Sequence, residues 1–205
     1  MNTLIRFVLL AAYISFVTSC ASVQTTNFYT LSKPLVTSVN KKPTPTLEHT
    51  HSIKILVNIP DGLKRPQIVI NKKNNAQLVV LEQHRWLSSF DEELSDALTS
   101  GIYSNANIQG LATTNRYQIA VNLLQMDTTL TDKVAAKFHW KITRNISSDK
   151  TADPQLLSCE FSTYKPINNT VESAVTGMQD IVQDLSQIIA QQVTKMESES
   201  VNRCS

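Results

Sequence analysis

The segment "YQIAVNLLQMDTTLTDKVAAKFHWKI", residues 117–142, contains two runs in which apolar and polar side chains alternate. Alternation with a period of two is typical of a β-strand that buries one face. The polar residues 127–132 separate the two runs and indicate a turn, so the segment predicts a long antiparallel hairpin. The side chains predicted to face the core are Tyr117, Ile119, Val121 and Leu123 on the first strand and Val134, Ala136, Phe138, Trp140 and Ile142 on the second.

Shorter strands are predicted on both sides of this hairpin. Upstream, residues 53–59, 67–71 and 77–81 are rich in β-branched side chains, and "KKNNA" between the last two is typical of a hairpin turn. Downstream, "LLSCEFSTYK" at 156–165 follows the turn-forming "SSDKTADP" and predicts a further strand.

Two segments instead show the helical period. Apolar residues recur at steps of three and four from Trp86 to Ile102, and Ser88 or Ser89 can start a capping box with an acidic residue three positions later. Trp86 begins this apolar stripe, which favours a place in the core over a place in an interface.

A second and longer stripe runs from Val171 to Met196, with Thr170 or Asn169 available as its N-cap. Such a stripe usually packs on the protein's own sheet, and a coiled coil or a partner helix is the alternative. The order of elements predicts an α+β fold, in which two amphipathic helices pack on one face of a largely antiparallel sheet as a two-layer sandwich. We predict a single domain over residues 53–200.

The N-terminus has the pattern of a secretory signal. A short start with one charge, Arg6, precedes an apolar run that is shorter than the roughly 20 residues of a membrane span. The run ends in "FVTSC", residues 16–20, which resembles the bacterial lipobox. Residues 1–19 are then the signal peptide, Cys20 is the lipid attachment site, and residues 20–52, with "KKPTPT", form an extended tether. A plain signal peptide or a signal anchor with an incidental cysteine is the alternative.

The lipobox resemblance also implies a location. Several acyl chains on one residue make a lasting anchor, whereas a single chain binds reversibly. Ala21 stands where an Asp usually retains such lipoproteins in the inner membrane. We therefore expect a lipid-anchored protein of the cell outer membrane, on its periplasmic face.

The two other cysteines, Cys159 and Cys204, form an even number in an oxidising compartment. Cys159 lies in phase with the inward side of its predicted strand, and Cys204 follows the last helix. A disulfide between them and a pair of free thiols are both compatible with the sequence.

The sequence offers no catalytic site. It contains no phosphate-binding glycine loop, nucleophile elbow, zinc-protease motif or Cys-x-x-Cys pair. His49 and His51 lie in the predicted tether without further ligands at metal-binding spacing. With 19 basic and 17 acidic residues, the chain has no basic stripe for nucleic acid. We expect a protein that is not an enzyme and that uses no cofactor or metal.

Several motifs taken in order resemble the PqiC/YmbA family, the auxiliary lipoproteins of transport systems built on mammalian-cell-entry (MCE) domains. The matching motifs are the lipobox at Cys20, "FYTL" at 28–31, "IPDGLKRPQIV" at 59–69, "RWLSSFDEEL" at 85–94 and "FHWKI" at 138–142. Leu87 and Ser88 depart from the residues common in the family, and the tail beyond Val193 has no counterpart.

This resemblance implies a docking and structural subunit at the outer membrane, which receives the far end of an MCE-domain assembly so that phospholipid passes between membranes. Tyr29 and Leu31 are expected to pack on the domain, while Arg65 and Arg85 are the candidate partner interface. A ring-shaped homo-oligomer would suit a symmetric tube. The competing functions are a lipoprotein chaperone or plug for an outer-membrane β-barrel and, less favoured, a periplasmic hydrolase.

Overall fold

The computed structural model describes residues 25–33, 53–72, 77–106, 117–144, 155–198 and 203–204. The strands are β1 (Asn27–Tyr29), β2 (Ile53–Asn58), β3 (Gln67–Asn71), β4 (Leu78–Trp86), β5 (Tyr117–Thr129), β6 (Lys133–Arg144) and β7 (Gln155–Pro166). The helices are α1 (Phe90–Asn105), between β4 and β5, and α2 (Val171–Ser198), after β7. A 3-10 turn over Asp61–Leu63 joins β2 to β3. The predicted α+β class is confirmed.

The larger sheet has the strand order β2-β5-β6-β7. Its centre is the predicted hairpin, in which Tyr117 pairs with Arg144 and Thr129 with Lys133. The hairpin strands and β7 run antiparallel, whereas β2 runs parallel to β5. All nine side chains predicted to face the core from the hairpin are buried. Alternation therefore identified the buried face of this sheet residue by residue.

The remaining strands form a second, smaller sheet with the order β1-β4-β3. β3 and β4 make the predicted antiparallel hairpin, and β1 adds to β4 in parallel. The sandwich thus contains two sheets where the sequence predicted one. β1 has only three residues, and its partner lies more than 50 residues away, so neither periodicity nor a turn signal marks the pair.

β4 extends further than predicted and includes Trp86 as its last residue. The assignment of Trp86 to the helix was therefore wrong, because its four-residue spacing to Phe90 also fits a strand that leads straight into a helix. The two rings are in contact, with centroids 5.5 Å apart. Trp86 is only 3% exposed, so its predicted place in the core is correct.

The two helices pack against each other, and α2 also covers β6 and β7 while α1 covers β2. The helices meet closely where Gly101 faces the fully buried Ser186, since a Cβ at position 101 would lie 2.5 Å from Ser186 Oγ. Where α2 covers β6, the Trp140 indole N–H donates to Gln192 Oε1 of α2 at 2.9 Å. The apolar stripe of α2 thus packs on its own sheet, as predicted.

The helix starts follow the predicted capping chemistry. Ser89 is the N-cap of α1, and its backbone N–H donates to Glu92 Oε2 at 3.2 Å. Thr170 Oγ1 accepts from the Ser173 N–H at 3.1 Å at the start of α2. Among the described residues, neither helix combines the length and the apolar character of a membrane span.

Candidate functional site

The first described residues after Cys20 are attached to the folded domain. We refer to residues 27–33, which comprise β1 and the four residues after it, as the anchor-proximal segment, because they follow the predicted lipid attachment site Cys20 closely in the sequence. Its ladder with β4 continues past the strand, where the Leu87 N–H donates to the Tyr29 carbonyl at 2.8 Å. Leu31 is 2% exposed in the main core. The expectation that Tyr29 and Leu31 pack on the domain is confirmed.

A buried carboxyl group on α1 holds this segment. Glu93 is 6% exposed and accepts the Leu31 N–H at 2.9 Å and the Thr30 hydroxyl at 2.8 Å through Oε2. Its other oxygen accepts the Ser88 hydroxyl at 3.2 Å. Buried polar groups are costly unless hydrogen-bonded, and here the backbone of the segment supplies a partner. Glu93 therefore ties the segment to the start of α1.

Tyr29 ties the same segment to α2. Its hydroxyl donates to Glu172 Oε1 at 2.9 Å and lies 2.9 Å from His84 Nδ1, and its ring stacks on the His84 ring. Burial, followed by the hydrogen bond to Glu172, raises the pKa of Tyr29 to about 12. The pKa of Glu172 is lowered, first by a backbone hydrogen bond at its own residue and then by the Tyr29 hydroxyl.

Two further contacts with α2 complete the attachment. Lys33 Nζ lies 2.5 Å from Asp180 Oδ1 and 2.7 Å from Gln183 Oε1, and Gln179 donates to the Thr30 carbonyl at 2.8 Å. These side chains are solvent-exposed, so each contact contributes little by itself. Together with Glu93 and β4, they connect the segment to one strand and both helices.

This attachment changes the predicted course of the tether. Residues 20–52 were assigned to an extended tether, yet residues 25–33 within that range belong to the folded domain. Cys20 and residues 34–52 lie outside the described residues. The chain between Cys20 and β1 is therefore six residues, 21–26, and not the thirty or so that the sequence suggested.

The candidate interface residues Arg65 and Arg85 lie at the same end of the smaller sheet. Arg65 precedes β3, and Arg85 pairs in register with Gln67 of that strand. The Arg85 Nε donates to the Glu82 carbonyl at 2.9 Å. The Arg65 Nε is buried and has no hydrogen-bond partner among the described residues.

Cys159 and Cys204 are paired in a disulfide, with their Cα atoms 5.8 Å apart. Cys159 lies buried on β7 and accepts a hydrogen bond from Gln192 of α2 at 3.4 Å. The bridge joins Cys204, an exposed residue after α2, to the larger sheet. Of the two arrangements that the sequence left open, the structure has the bridged one.

The histidines form no metal-binding cluster among the described residues. His84 contacts Tyr29, and His139 Nε2 lies 2.9 Å from Ser158 Oγ. His49 and His51 lie outside the described residues.

An apolar cleft of about 280 Å³ lies between β3 and the far half of β5. A β-bulge in β5 turns Leu124 outward, and Leu124 and Leu78 are both about half exposed at the cleft. Asp127 is the only charged residue in the described lining. Its apolar walls and single negative charge suit an uncharged side chain or hydrocarbon better than a phosphate group.

Sequence reasoning placed Glu93 among the acidic residues that favour a helix N-terminus and missed its contact with the anchor-proximal segment. One signal could have identified it. Glu93 lies on the buried stripe of α1 beside Phe90 and Leu94, and Asp91 and Glu92 do not. A carboxyl group on a buried stripe requires a partner from elsewhere in the chain.

Comparison with known proteins supports the same fold and identifies the family. A crystal structure of an uncharacterized protein superposes with a TM-score of 0.61 at 16% identity, covering 82% of this chain and 99% of that chain. A protein from Xanthomonas campestris superposes with a TM-score of 0.54 at 12% identity, covering 73% of this chain and 87% of that one. No curated protein matches the sequence.

The family model for the ABC-type transport auxiliary lipoprotein component matches residues 29–196. The match begins within β1 and ends near the end of α2, so it includes both sheets, both helices and the attachment through Glu93 and Tyr29. This chain belongs to the family of ABC-type transport auxiliary lipoproteins.

Proposed function

We propose that this protein is the outer-membrane-anchored subunit of an MCE-type system that moves phospholipid between the two membranes. It acts as the docking component at the outer membrane, and its work is binding. Family membership supports a transport role, and the resemblance of the quoted motifs supports the MCE system. Cys20 carries the lipid in this proposal.

The attachment of the anchor-proximal segment is the observation that carries this proposal. A lipoprotein on a long free tether could orient its domain in any direction. Here only six residues separate Cys20 from β1, and the anchor-proximal segment is attached to β4, α1 and α2. A short connection to a firmly held strand gives the domain a limited range of orientations, as a docking subunit for a tube from across the periplasm requires.

Arg65 and Arg85 remain the proposed contact with the MCE-domain protein. They lie at one end of the smaller sheet, and Arg65 has an unpaired buried Nε within the described residues. Arginine is enriched in protein interfaces, and its guanidinium group can bind a carboxylate through two hydrogen bonds.

The test is affinity purification of the tagged full-length protein from native membranes, with co-purifying proteins identified by mass spectrometry. We expect an MCE-domain protein as the dominant partner and its loss from the double variant Arg65→Glu/Arg85→Glu. The matched control is Lys54→Glu, which reverses an exposed charge on β2 of the other sheet. A β-barrel as the dominant partner would instead support the chaperone or plug function.

The anchor has a separate test. Cys20→Ala is expected to leave an uncleaved or soluble product, seen as a shift in mass and as loss from the outer-membrane fraction on a density gradient. A Cys20→Ala protein that is processed normally and still fractionates with the outer membrane would overturn the lipid-anchor proposal.

A further inference from the structure

The outer face of the smaller sheet carries two exposed apolar side chains close to the anchor. Phe28 pairs in register with Arg85, so both side chains point away from the buried Trp86. Leu87 follows Arg85 by two positions, and its N–H continues the ladder to β1, which places it on the same face. Phe28 is 62% exposed and Leu87 73%. We call this pair the apolar face.

The short chain to Cys20 determines what this face can reach. Phe28 is eight residues after Cys20, and an extended chain spans at most ~3.3–3.6 Å per residue, so Phe28 lies within ~28 Å of the lipidated residue. A short link also gives a high effective concentration, in the millimolar range for flexible linkers. At such an effective concentration, two apolar side chains need only a weak affinity of their own to stay on a bilayer.

The charges around the face favour insertion over electrostatic attraction. Arg85, between Phe28 and Leu87, donates to the Glu82 carbonyl at 2.9 Å, and its Nη2 lies 3.5 Å from Glu82 Oε2. A cation that already has an acidic neighbour adds little attraction for anionic lipid. A phenyl ring and a leucine beside an arginine are side chains that suit the interfacial region of a bilayer.

We propose that the apolar face rests on the phospholipid surface of the membrane that holds the anchor. Phe28 and Leu87 then enter the headgroup region with Arg85 between them, and Arg65 lies at its border. A partner that docks on these arginines would meet the domain beside the lipid leaflet. The inference rests on the proposed anchor at Cys20, and it adds the orientation of the domain to the proposed function.

The test uses tryptophan fluorescence and lipids with brominated acyl chains, which quench emission from tryptophan at the membrane. Full-length lipidated protein carrying Phe28→Trp, Leu87→Trp or Tyr164→Trp is reconstituted into phosphatidylcholine vesicles with and without such lipids. Tyr164 is the matched control, because it is 64% exposed and lies on β7 of the other sheet. The two native tryptophans, Trp86 and Trp140, are buried in every variant.

We expect the emission of the introduced tryptophan, taken as the difference from the wild-type protein, to fall roughly twofold in the brominated vesicles for Phe28→Trp and Leu87→Trp, as for side chains at headgroup depth. The same difference for Tyr164→Trp should stay unchanged. Flotation of the vesicles reports the anchor independently. Protein that floats without quenching at positions 28 and 87 would overturn this inference alone. Protein that does not float would overturn both the anchor and the inference, and quenching restricted to position 164 would place the opposite surface on the lipid.

Discussion

The two ends of the described chain are attached to the domain by different kinds of bond. The anchor-proximal segment is held by many weak contacts, namely the β1 ladder, the hydrogen bonds to Glu93 and Glu172, and the burial of Leu31. The C-terminal tail is held by the disulfide from Cys204 to Cys159, and its described residues are exposed. One attachment is distributed and non-covalent, and the other is a single covalent bond.

The difference indicates what each attachment depends on. Distributed contacts form as part of folding and fix both position and direction, which suits the end that leads to the proposed membrane anchor. A single disulfide depends on the redox state of the compartment and mainly limits how far the unfolded chain can expand. We therefore expect the loss of the disulfide to lower global stability, and the loss of one N-terminal contact to loosen the anchor-proximal segment locally.

The largest effect is expected from removal of the disulfide. The bridge closes a loop with a sequence separation of 45 that contains all of α2, so Cys204→Ser is expected to lower the free energy of unfolding by about 2–4 kcal/mol. Urea denaturation measures the change. A reductant should reproduce it in the wild type and have no further effect on Cys204→Ser. Equal stability of oxidised and reduced wild type would contradict the covalent attachment of the tail.

An intermediate effect is expected from Glu93→Ala. This change leaves the Leu31 N–H in a buried site without its acceptor, which costs about 1–3 kcal/mol. Hydrogen exchange at the Leu31 amide should accelerate more than exchange in β5 and β6. The matched control is Asp96→Ala, which removes an exposed carboxyl group one turn further along the same helix. Uniform acceleration in both sheets would show that Glu93 supports the whole domain and not the segment.

The larger sheet with α2 was predicted from the sequence better than the smaller sheet with the anchor-proximal segment. The larger sheet and α2 follow period-two and period-3.6 patterns over more than ten residues, so the hairpin, its buried face and the packing stripe could all be predicted. Cys204 and Cys159 were identified as a candidate pair, because cysteine number and compartment are properties of the sequence itself.

The smaller sheet and the anchor-proximal segment were predicted less well for a physical reason. β1 has three residues, pairs in parallel and gains its stability from contacts more than 50 residues away, such as Glu93 to Leu31 and Tyr29 to Glu172. No local pattern encodes such pairs. The motif "FYTL" did point to the segment, but only through the family resemblance.

The smallest and most specific effect is expected from Tyr29→Phe at alkaline pH. The pKa of Tyr29 is about 12 in the folded protein, compared with the ordinary value of 10.0 for a tyrosine side chain. Between these values the unfolded chain loses the phenolic proton while the folded protein keeps it. The stability that Tyr29 contributes is therefore fully present below pH 10 and is lost as the pH rises towards 12. Ionised Tyr29 would also repel the Glu172 carboxylate, which lies at hydrogen-bond distance.

We expect the stability difference between wild type and Tyr29→Phe to be constant up to pH 10 and to shrink from pH 10 to 12. Tyr164 is an exposed tyrosine of the larger sheet, and the variant Tyr164→Phe serves as the control for tyrosine ionisation in general. Ultraviolet difference spectra between wild type and Tyr29→Phe should place the titration of Tyr29 near pH 12. If wild type and Tyr29→Phe lost stability in parallel over this range, the hydroxyl would not hold the anchor-proximal segment on α2, and Glu93 and the β1 ladder would carry that attachment.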